Sequence, residues 1–549
     1  MGSKLIFISN SSWTILMAMC LVLACQLKEI KTDKPNIILI LADDMGYSDI
    51  GCYGGEIQTP VLDGLAEKGI RFSQFYNAAR CCPTRASLLT GLYQVETGIG
   101  WMVGNLGYPG YEGYLNQQCV TIAEALKRGG YRTYMTGKWH LGEEEFSRPI
   151  TRGFDKFYGT LNGAGSYFNP ESLMNDETPV SVESPEYYYT DAISDTAVQF
   201  IRKHNQEMEH DPFFMYVAYT APHWPLHAPE KEIKRYDGVY ENGWDDIREA
   251  RYQRMIAMGL IDPEWDMTPR DNGVVPWEDE GNKEWRERSM QVYAAQIDIM
   301  DQGIGRIVDE LKRSKQLDNT LIMFLSDNGG CSNELINPKW MKLPDTAING
   351  KPMKKGSNPS IMPGAPETYA AYGLPWANTS NTPFREYKIW THEGGIATPF
   401  IAHFPKAIKS TNTIVHQPAH IIDVMATCLD VTGVAYPDSL DGNMIRPMRG
   451  KSLLPVFQGS ELPVHNEDIL FWEHTGKRAA RKGKWKIVSL SGKDWELYDM
   501  EKDRTELNDL SQDFPEKLQE LANAYDQWAE ENGVLSYEEW YEARHNKRE

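Results

Sequence analysis

The sequence predicts an α/β protein: a large mixed, mostly parallel sheet sandwiched by helices, followed by a smaller C-terminal α+β subdomain. Three observations predict it. Continuous runs of branched apolar residues occur at 36–42, 213–219 and 320–325. Runs without polar alternation suit strands buried on both faces, as in parallel sheets. Between them lie helical periodicities: residues 121–128 align Ile122, Ala125 and Leu126, and residues 292–312 align Ile297, Met300, Ile304, Ile307, Val308 and Leu311. Strands alternating with helices imply crossovers that cover both faces of the sheet. After about residue 450 the texture changes, with short strand-like pieces at 469–472 and 485–488 before an amphipathic helix at 515–530. Residues 237–290, charged and Trp-rich, and 335–383, rich in Pro, Gly and Asn, are expected as rim loops that contact substrate or decorate the sheet.

The composition, 41% hydrophobic and 24% charged over 549 residues, is that of a globular chain. A net charge of −21 argues against a nucleic-acid partner, which needs a basic face. Any anion site must therefore be a local basic pocket. The eight cysteines, Cys20, Cys25, Cys52, Cys81, Cys82, Cys119, Cys331 and Cys428, are scattered without a Cys-x-x-Cys pair, which disfavours a zinc site or a disulfide scaffold.

At the N-terminus, Lys4 precedes an apolar stretch that is nearly unbroken from Trp13 to Ala24. It is shorter than the ~20 residues of a membrane-spanning helix and has the length of a signal-peptide core. Val22-Leu23-Ala24-Cys25 resembles a bacterial lipobox, in which the cysteine is lipidated. The expectation is a signal peptide at 1–24, a polar tether at 25–34, a catalytic domain at 35–449 and the subdomain at 450–549. The protein is then exported, periplasmic or at the cell surface, and meets the membrane only through a lipid on Cys25. Plain secretion and an uncleaved anchor are the alternatives.

Two of the strand runs end in acid. Asp43-Asp44 follows the first and Asp327-Asn328 the last. Ligands of open α/β sheets bind beyond the carboxyl ends of the strands, where three carboxylates and an amide oxygen suit Ca²⁺ or Mg²⁺. Asp and Asn also favour such positions as caps and turns. Pro83 suits a first helical position, which sets Cys81 at a helix N-terminus with Arg85 one turn on. Cys81 there is a candidate nucleophile or a small buried hydrophobe, and Arg85 a fork for oxyanions. Lys138 and His140 stand two residues apart, His223 sits in the proline-flanked segment after the second run, and Lys388 precedes Glu393-Gly394-Gly395. Taken singly, each is an ordinary surface or core residue.

Taken in order, the blocks Asp43-Asp44, Cys81-x-Pro83-x-Arg85, Gly137-Lys138-Trp139-His140, Pro222-His223, Asp327-Asn328-Gly329 and Lys388-x₄-Glu393 resemble the type I sulfatases of the alkaline-phosphatase superfamily. The resemblance runs from about residue 35 to the C-terminus, where Leu497-Tyr498-Asp499-Met500 also fits. Residues 383–405 and Phe471-Trp472-Glu473-His474 are similar to the bacterial arylsulfatase branch.

The resemblance implies that Cys81 is oxidised to Cα-formylglycine, whose hydrate attacks sulfur. It further implies one Ca²⁺ (Mg²⁺ as the alternative) held by Asp43, Asp44, Asp327, Asn328 and the modified residue 81. Arg85 anchors the hydrate; Lys138, His223 and Lys388 cradle sulfate; His223 or Lys388 protonates the leaving oxygen; His140 is the base for elimination. The implied partners are a sulfated glycan or aryl sulfate and a formylglycine-generating maturase. Thr84 departs from the family's usual Ser but keeps the hydroxyl; the expectation is that a maturase of the anaerobic iron–sulfur type accepts it. Trp101, Trp376 and His474 are candidate outer contacts to substrate. A phosphate or phosphonate ester hydrolase of the same superfamily, and a sulfoglycan-binding protein without turnover, remain the competing readings.

Overall fold

The computed structural model describes residue 2 and residues 34–208, 211–336 and 343–545. Cys25 and, residue 2 apart, the expected leader lie outside the described residues. Eleven strands form the main sheet: β1 (Asn36–Asp43), β2 (Ile70–Tyr76), β3 (Arg132–Gly137), β4 (Lys156–Thr160), β5 (Leu173–Asn175), β6 (Thr178–Pro179), β7 (Phe213–Pro222), β8 (Thr320–Ser326), β9 (Ala397–His403), β10 (Thr413–Val415) and β11 (Ala419–His420). Their order is β10-β2-β9-β8-β1-β7-β3-β4-β5-β6, with β11 also on β2. The five strands β8, β1, β7, β3 and β4 run parallel, and β9 is antiparallel to both its neighbours. The sheet is thus mixed and mostly parallel.

The apolar run of β1 explains its central place. Because side chains alternate across a strand, Ile38, Ile40 and Ala42 enter one core and Ile37, Leu39 and Leu41 the other. The first core is closed by α1 (Pro60–Glu67), α4 (Tyr189–Glu207) and α6 (Lys283–Arg313), through Leu62, Leu65, Ile193, Ala197, Ile297, Met300 and Ile304. The second is closed by α2 (Cys81–Thr90), α3 (Ile122–Arg128) and α7 (Asp423–Thr432), through Leu88, Leu89, Ile122, Leu126, Met425 and Cys428. Thr121 caps α3: its hydroxyl accepts from Glu124 N at 3.0 Å while Glu124 Oε2 accepts from Thr121 N at 2.7 Å.

Three expectations shift. The long helix α6 begins at Lys283, nine residues before the periodicity at 292–312. Residues 237–290 are not a rim loop: they contain α5 (Gly243–Met258), which buries Trp244 against Trp277 edge-to-face at 4.7 Å. Arg251 on α5 is buried and pairs with Asp49 and Glu56, both at 2.7 Å, so one of the charges that suggested a surface loop is paired inside. Helix α2 starts at Cys81, so Pro83 is its third residue and Arg80 is the cap.

The C-terminal subdomain is a four-stranded antiparallel sheet, β12 (Leu470–His474), β13 (Lys477–Lys482), β14 (Trp485–Ser489) and β15 (Glu496–Asp499), covered by α8 (Pro515–Asn532). Buried ion pairs join it to the main sheet's end: Glu393 meets Lys486 at 2.9 Å and Arg504 at 2.9 Å. Among the described residues no helix is long and apolar enough to cross a membrane.

Candidate active site

Strand register assembles the site. In β1 and β8, Ala42 is level with Ser326, so Asp43-Asp44 and Asp327-Asn328 leave the sheet side by side. On the other flank β3 lies on β7 with Gly137 level with Ala218, and Lys138 follows immediately. Four segments remote in sequence therefore end at one edge. Asp44, at φ 65°, and His140, at φ 58°, hold left-handed backbone conformations that non-glycine residues seldom adopt. Such strain persists where the surrounding structure fixes it, and it clusters at functional sites.

The side chains interlock. Lys138 Nζ donates to Asp43 Oδ2 at 2.6 Å, and Arg85 pairs with Asp327 Oδ2 at 2.9 Å and donates to Lys138 O at 2.9 Å. Asn328 Nδ2 and Lys388 Nζ both donate to Asp44 Oδ1, at 2.7 and 2.6 Å. His223 Nε2 stands 3.4 Å from Asp44 Oδ2, and its Nδ1 lies 2.6 Å from Trp224 O. The ligand atoms of Cys81, Cys82 and His140 lie within 4.8 Å of one another, as do those of Asp43, Asp44 and His223.

Cys81 is the first residue of α2 and is buried. Its thiol is held well below the usual range: a hydrogen bond with Cys82 does most, and Lys388, Lys138 and His140 outweigh burial. The turn before it is fixed by Thr84, whose hydroxyl accepts from Ala78 N at 3.0 Å and whose N–H donates to Arg80 O at 2.9 Å. The hydroxyl retained at position 84 thus shapes the helix entry. Burial lowers His140 to about 4, and lowers His223 to about 4 against the pull of Asp44. Burial raises Asp43 despite Lys138 and Arg85, and burial with Asp43 pushes Asp327 well above the carboxylate range. Burial opposes ionisation of Asp44 too, but His223 and Lys388 hold its pKa below the ordinary value. Burial would lower Lys388, yet Asp44 raises it well above the lysine range.

All ten residues expected at the centre converge. A cavity of about 290 Å³ opens onto them, lined by Arg80, Cys81, His140, His223, Trp224 and Lys388 among others. A larger cleft of about 700 Å³ lies beside Trp265, His416 and Arg481, and none of the expected site residues lines it.

The three outer candidates are not pocket walls. Trp376 is fully buried, packs on Tyr240, Trp244 and Trp277, and donates from Nε1 to Arg286 O at 2.7 Å; its aromatic surface is core. Trp101 is spent edge-to-face on Trp540, while its neighbour Met102 lines the cavity. His474 is fully buried and reaches the cavity only through Arg80, whose NH1 lies 3.1 Å from its Nε2. Arg80 and Trp224 line the cavity without having been singled out in the sequence. Each adjoins a residue that was, and adjacency to a motif was the one available signal.

Positive charge converging on one small cavity at the carboxyl edge of the sheet suits a tetrahedral oxyanion, and the class so defined is an oxyanion-ester hydrolase. The sulfatase family model matches residues 35–434, and the C-terminal model of N-sulphoglucosamine sulphohydrolase matches 386–531. An uncharacterised sulfatase of Schizosaccharomyces pombe is 34% identical over 93% of this chain and 96% of its own. The arylsulfatase of Klebsiella aerogenes is 34% identical over 80% of this chain and 95% of its own. The crystal structure of Ps i-CgsB, also solved in complex with k-i-k-neocarrahexaose, superposes with a TM-score of 0.67 at 25% identity, covering 93% of this chain and 98% of that one. The chain belongs to the sulfatase family, with the alkaline-phosphatase-like fold. It is a sulfuric ester hydrolase.

Proposed function

We propose that this sulfatase removes sulfate from a sulfated glycan, using a formylglycine made from Cys81 and one bound calcium ion. The observation that carries the reading is that Cys81, His140 and Lys388 line one cavity while Lys138 and Lys388 are paired with the carboxylates that end β1. A glycan substrate is supported by the likeness to Ps i-CgsB, which was solved with an oligosaccharide.

The donor set fits a hard divalent cation. Asp43 Oδ1, Asp44 Oδ2 and Asn328 Oδ1 are buried without any hydrogen-bond partner, a costly state for oxygens that nothing completes. With Asp327 these are the oxygen ligands Ca²⁺ takes, Mg²⁺ being the smaller alternative. When bound, the ion would offset charge on the sulfuryl oxygens and acidify a hydroxyl beside it. Cys81 Sγ marks where the hydrated aldehyde would stand, offering one hydroxyl to take the sulfuryl group and a second whose deprotonation releases sulfate.

The chain's own groups do the rest. Lys138 and Lys388 bind sulfuryl oxygens, and Arg85 holds Asp327 and the backbone at Lys138 in register. Lys388, kept charged by Asp44, or His223 gives a proton to the ester oxygen as the S–O bond breaks and that oxygen departs as an alcohol, and the proton lost by the attacking hydroxyl restores the donor. His140, kept neutral by burial and with Nδ1 free of partners, accepts the proton of the second hydroxyl. Unaided sulfate esters react slowly enough that the site must supply on the order of 15–20 kcal/mol.

Turnover of 4-nitrophenyl sulfate against 4-nitrophenyl phosphate, with mass spectrometry of the 81–85 peptide, tests the reading. Expected are a preference for sulfate, loss of activity in Cys81→Ala and an aldehyde at residue 81 after co-expression with an anaerobic-type maturase. Preference for phosphate, or full activity with an unmodified thiol, overturns it. We also propose export with lipid on Cys25; a mature N-terminus carrying acyl chains there is the expected result, and an intact leader refutes it.

A further inference from the structure

The cavity holds one more cation than the sulfate cradle uses. Lys138, Lys388 and Arg85 each sit against a carboxylate at 2.6–2.9 Å. Arg80 does not. It lines the same cavity, among the described residues no carboxylate pairs with it, and its Nε is buried without a partner. Its NH1 faces a histidine, His474 Nε2, at 3.1 Å. Burial, then Arg80 and Lys477, keeps that histidine well below its ordinary pKa. A neutral ring there can accept from the guanidinium.

The backbone holds this arm in place. Ala79 and Ile389 both carry left-handed conformations, at φ 61° and 78°, and Ile389 N donates to Ala79 O at 2.7 Å. That bond clasps the residue before Arg80 to the residue after Lys388. For Ile, whose branched side chain resists such a conformation, the strain marks an imposed position. His474 comes from the other side, at the tip of the β12–β13 hairpin, where Thr475 (φ 57°) and Gly476 (φ 81°) make the turn. Its cross-strand partner Lys477 lies over Trp390, 5.5 Å from the ring centroid, and adds a second cation with no carboxylate bonded to it among the described residues. In a chain of net charge −21 these unpaired cations stand out.

We propose that Arg80 is a specificity arm that binds a second oxyanion, a carboxylate or a further sulfate, on the sugar that carries the ester to be cleaved, with His474 as its positioning residue. The inference rests on the sulfatase reading of the cavity and adds the charge of the substrate to it. An arginine fork pairs with either oxyanion through two parallel N–H bonds. The arm also answers the repulsion that so acidic a protein would exert on a polyanion.

The test is competition against 4-nitrophenyl sulfate, because an inhibition constant does not depend on what fraction of enzyme has matured. The competitors are N-acetylglucosamine 6-sulfate, glucosamine N,6-disulfate and glucuronic acid 2-sulfate. Wild-type enzyme is expected to bind at least one of the doubly anionic sugars tenfold or more tightly than the singly anionic one, and the better of the two names the oxyanion. Arg80→Ala is expected to bring that ratio below about twofold, with Arg80→Lys in between. His474→Ala should lose the preference and His474→Gln, which keeps an acceptor, should recover it. Equal binding of all three sugars by wild type, or a preference that survives Arg80→Ala, overturns the proposal. Failure to hydrolyse 4-nitrophenyl sulfate at all would instead strike the sulfatase reading beneath it.

Discussion

Lys388 Nζ stands 2.6 Å from Asp44 Oδ1, both groups buried, although 344 positions separate them in the chain. The pair sets a left-handed turn after β1 against a strained segment near β9, and places an ammonium beside residue 81. Removing it takes away a sulfate contact and leaves Asp44 short of a counter-charge. Lys388→Ala is expected to lower kcat/KM for 4-nitrophenyl sulfate by about 10²–10³, the size of losing one preorganised donor, with the circular dichroism spectrum unchanged. Activity within threefold of wild type would remove Lys388 from the cradle.

The central residues were legible because their placement follows from strand ends. A buried strand that terminates in Asp-Asp must deliver those carboxylates to the sheet's edge, and a parallel neighbour terminating in Asp-Asn delivers its own beside them. The outer wall was not legible. Trp376 and His474 are residue types that line pockets and cores alike, and only tertiary packing decides which. Arg251 shows the converse: an arginine in a charged stretch reads as surface until its partners Asp49 and Glu56, some two hundred residues away, are in view.

That distinction can be measured at Trp376. Its ring fills the core between α5 and α6, and its indole N–H is already satisfied by Arg286 O. Trp376→Ala is expected to cost about 3–5 kcal/mol, as for other large buried aromatics, seen as a drop in apparent Tm. The KM for 4-nitrophenyl sulfate should stay within twofold for the protein that remains folded. A raised KM with unchanged Tm would return Trp376 to the pocket.

Cation binding should release protons. Burial raises Asp43, and burial with Asp43 beside it raises Asp327 well above the carboxylate range. A group with a raised pKa keeps its proton to higher pH, and Ca²⁺ must displace that proton to reach the oxygen. Apparent calcium affinity is therefore expected to weaken as pH falls, with more protons released per ion at the lower pH. Calorimetric titration of metal-stripped protein in buffers of different ionisation enthalpy reads this directly. Heats identical in all buffers would mean that both carboxyls are already ionised.

The junction between the main sheet and the C-terminal subdomain should fail in acid, and through one glutamate. Glu393 is fully buried; burial alone would raise its pKa, but Lys486, Arg504 and Arg481 lower it from the usual 4.5 to about 2. Glu506 shares Lys486 at 2.7 Å and accepts from Glu393 N at 2.8 Å, so the cluster links the segment after Lys388 to β14 and the residues after β15. A carboxyl whose folded pKa is depressed adds stability that is present above its unfolded value and is lost as pH falls through the folded one. The window here runs from about 4.5 down to about 2, and the shift corresponds to about 3 kcal/mol. Apparent Tm of the wild type should fall steeply across that window, and Glu393→Gln should flatten the slope while lowering Tm at pH 7. Lys486→Met, which strands Glu506 and leaves Glu393 only its pair with Arg504, should cost about 3–5 kcal/mol at neutral pH. If the acid slope of Glu393→Gln matched that of wild type, the stabilising charge would have to lie elsewhere.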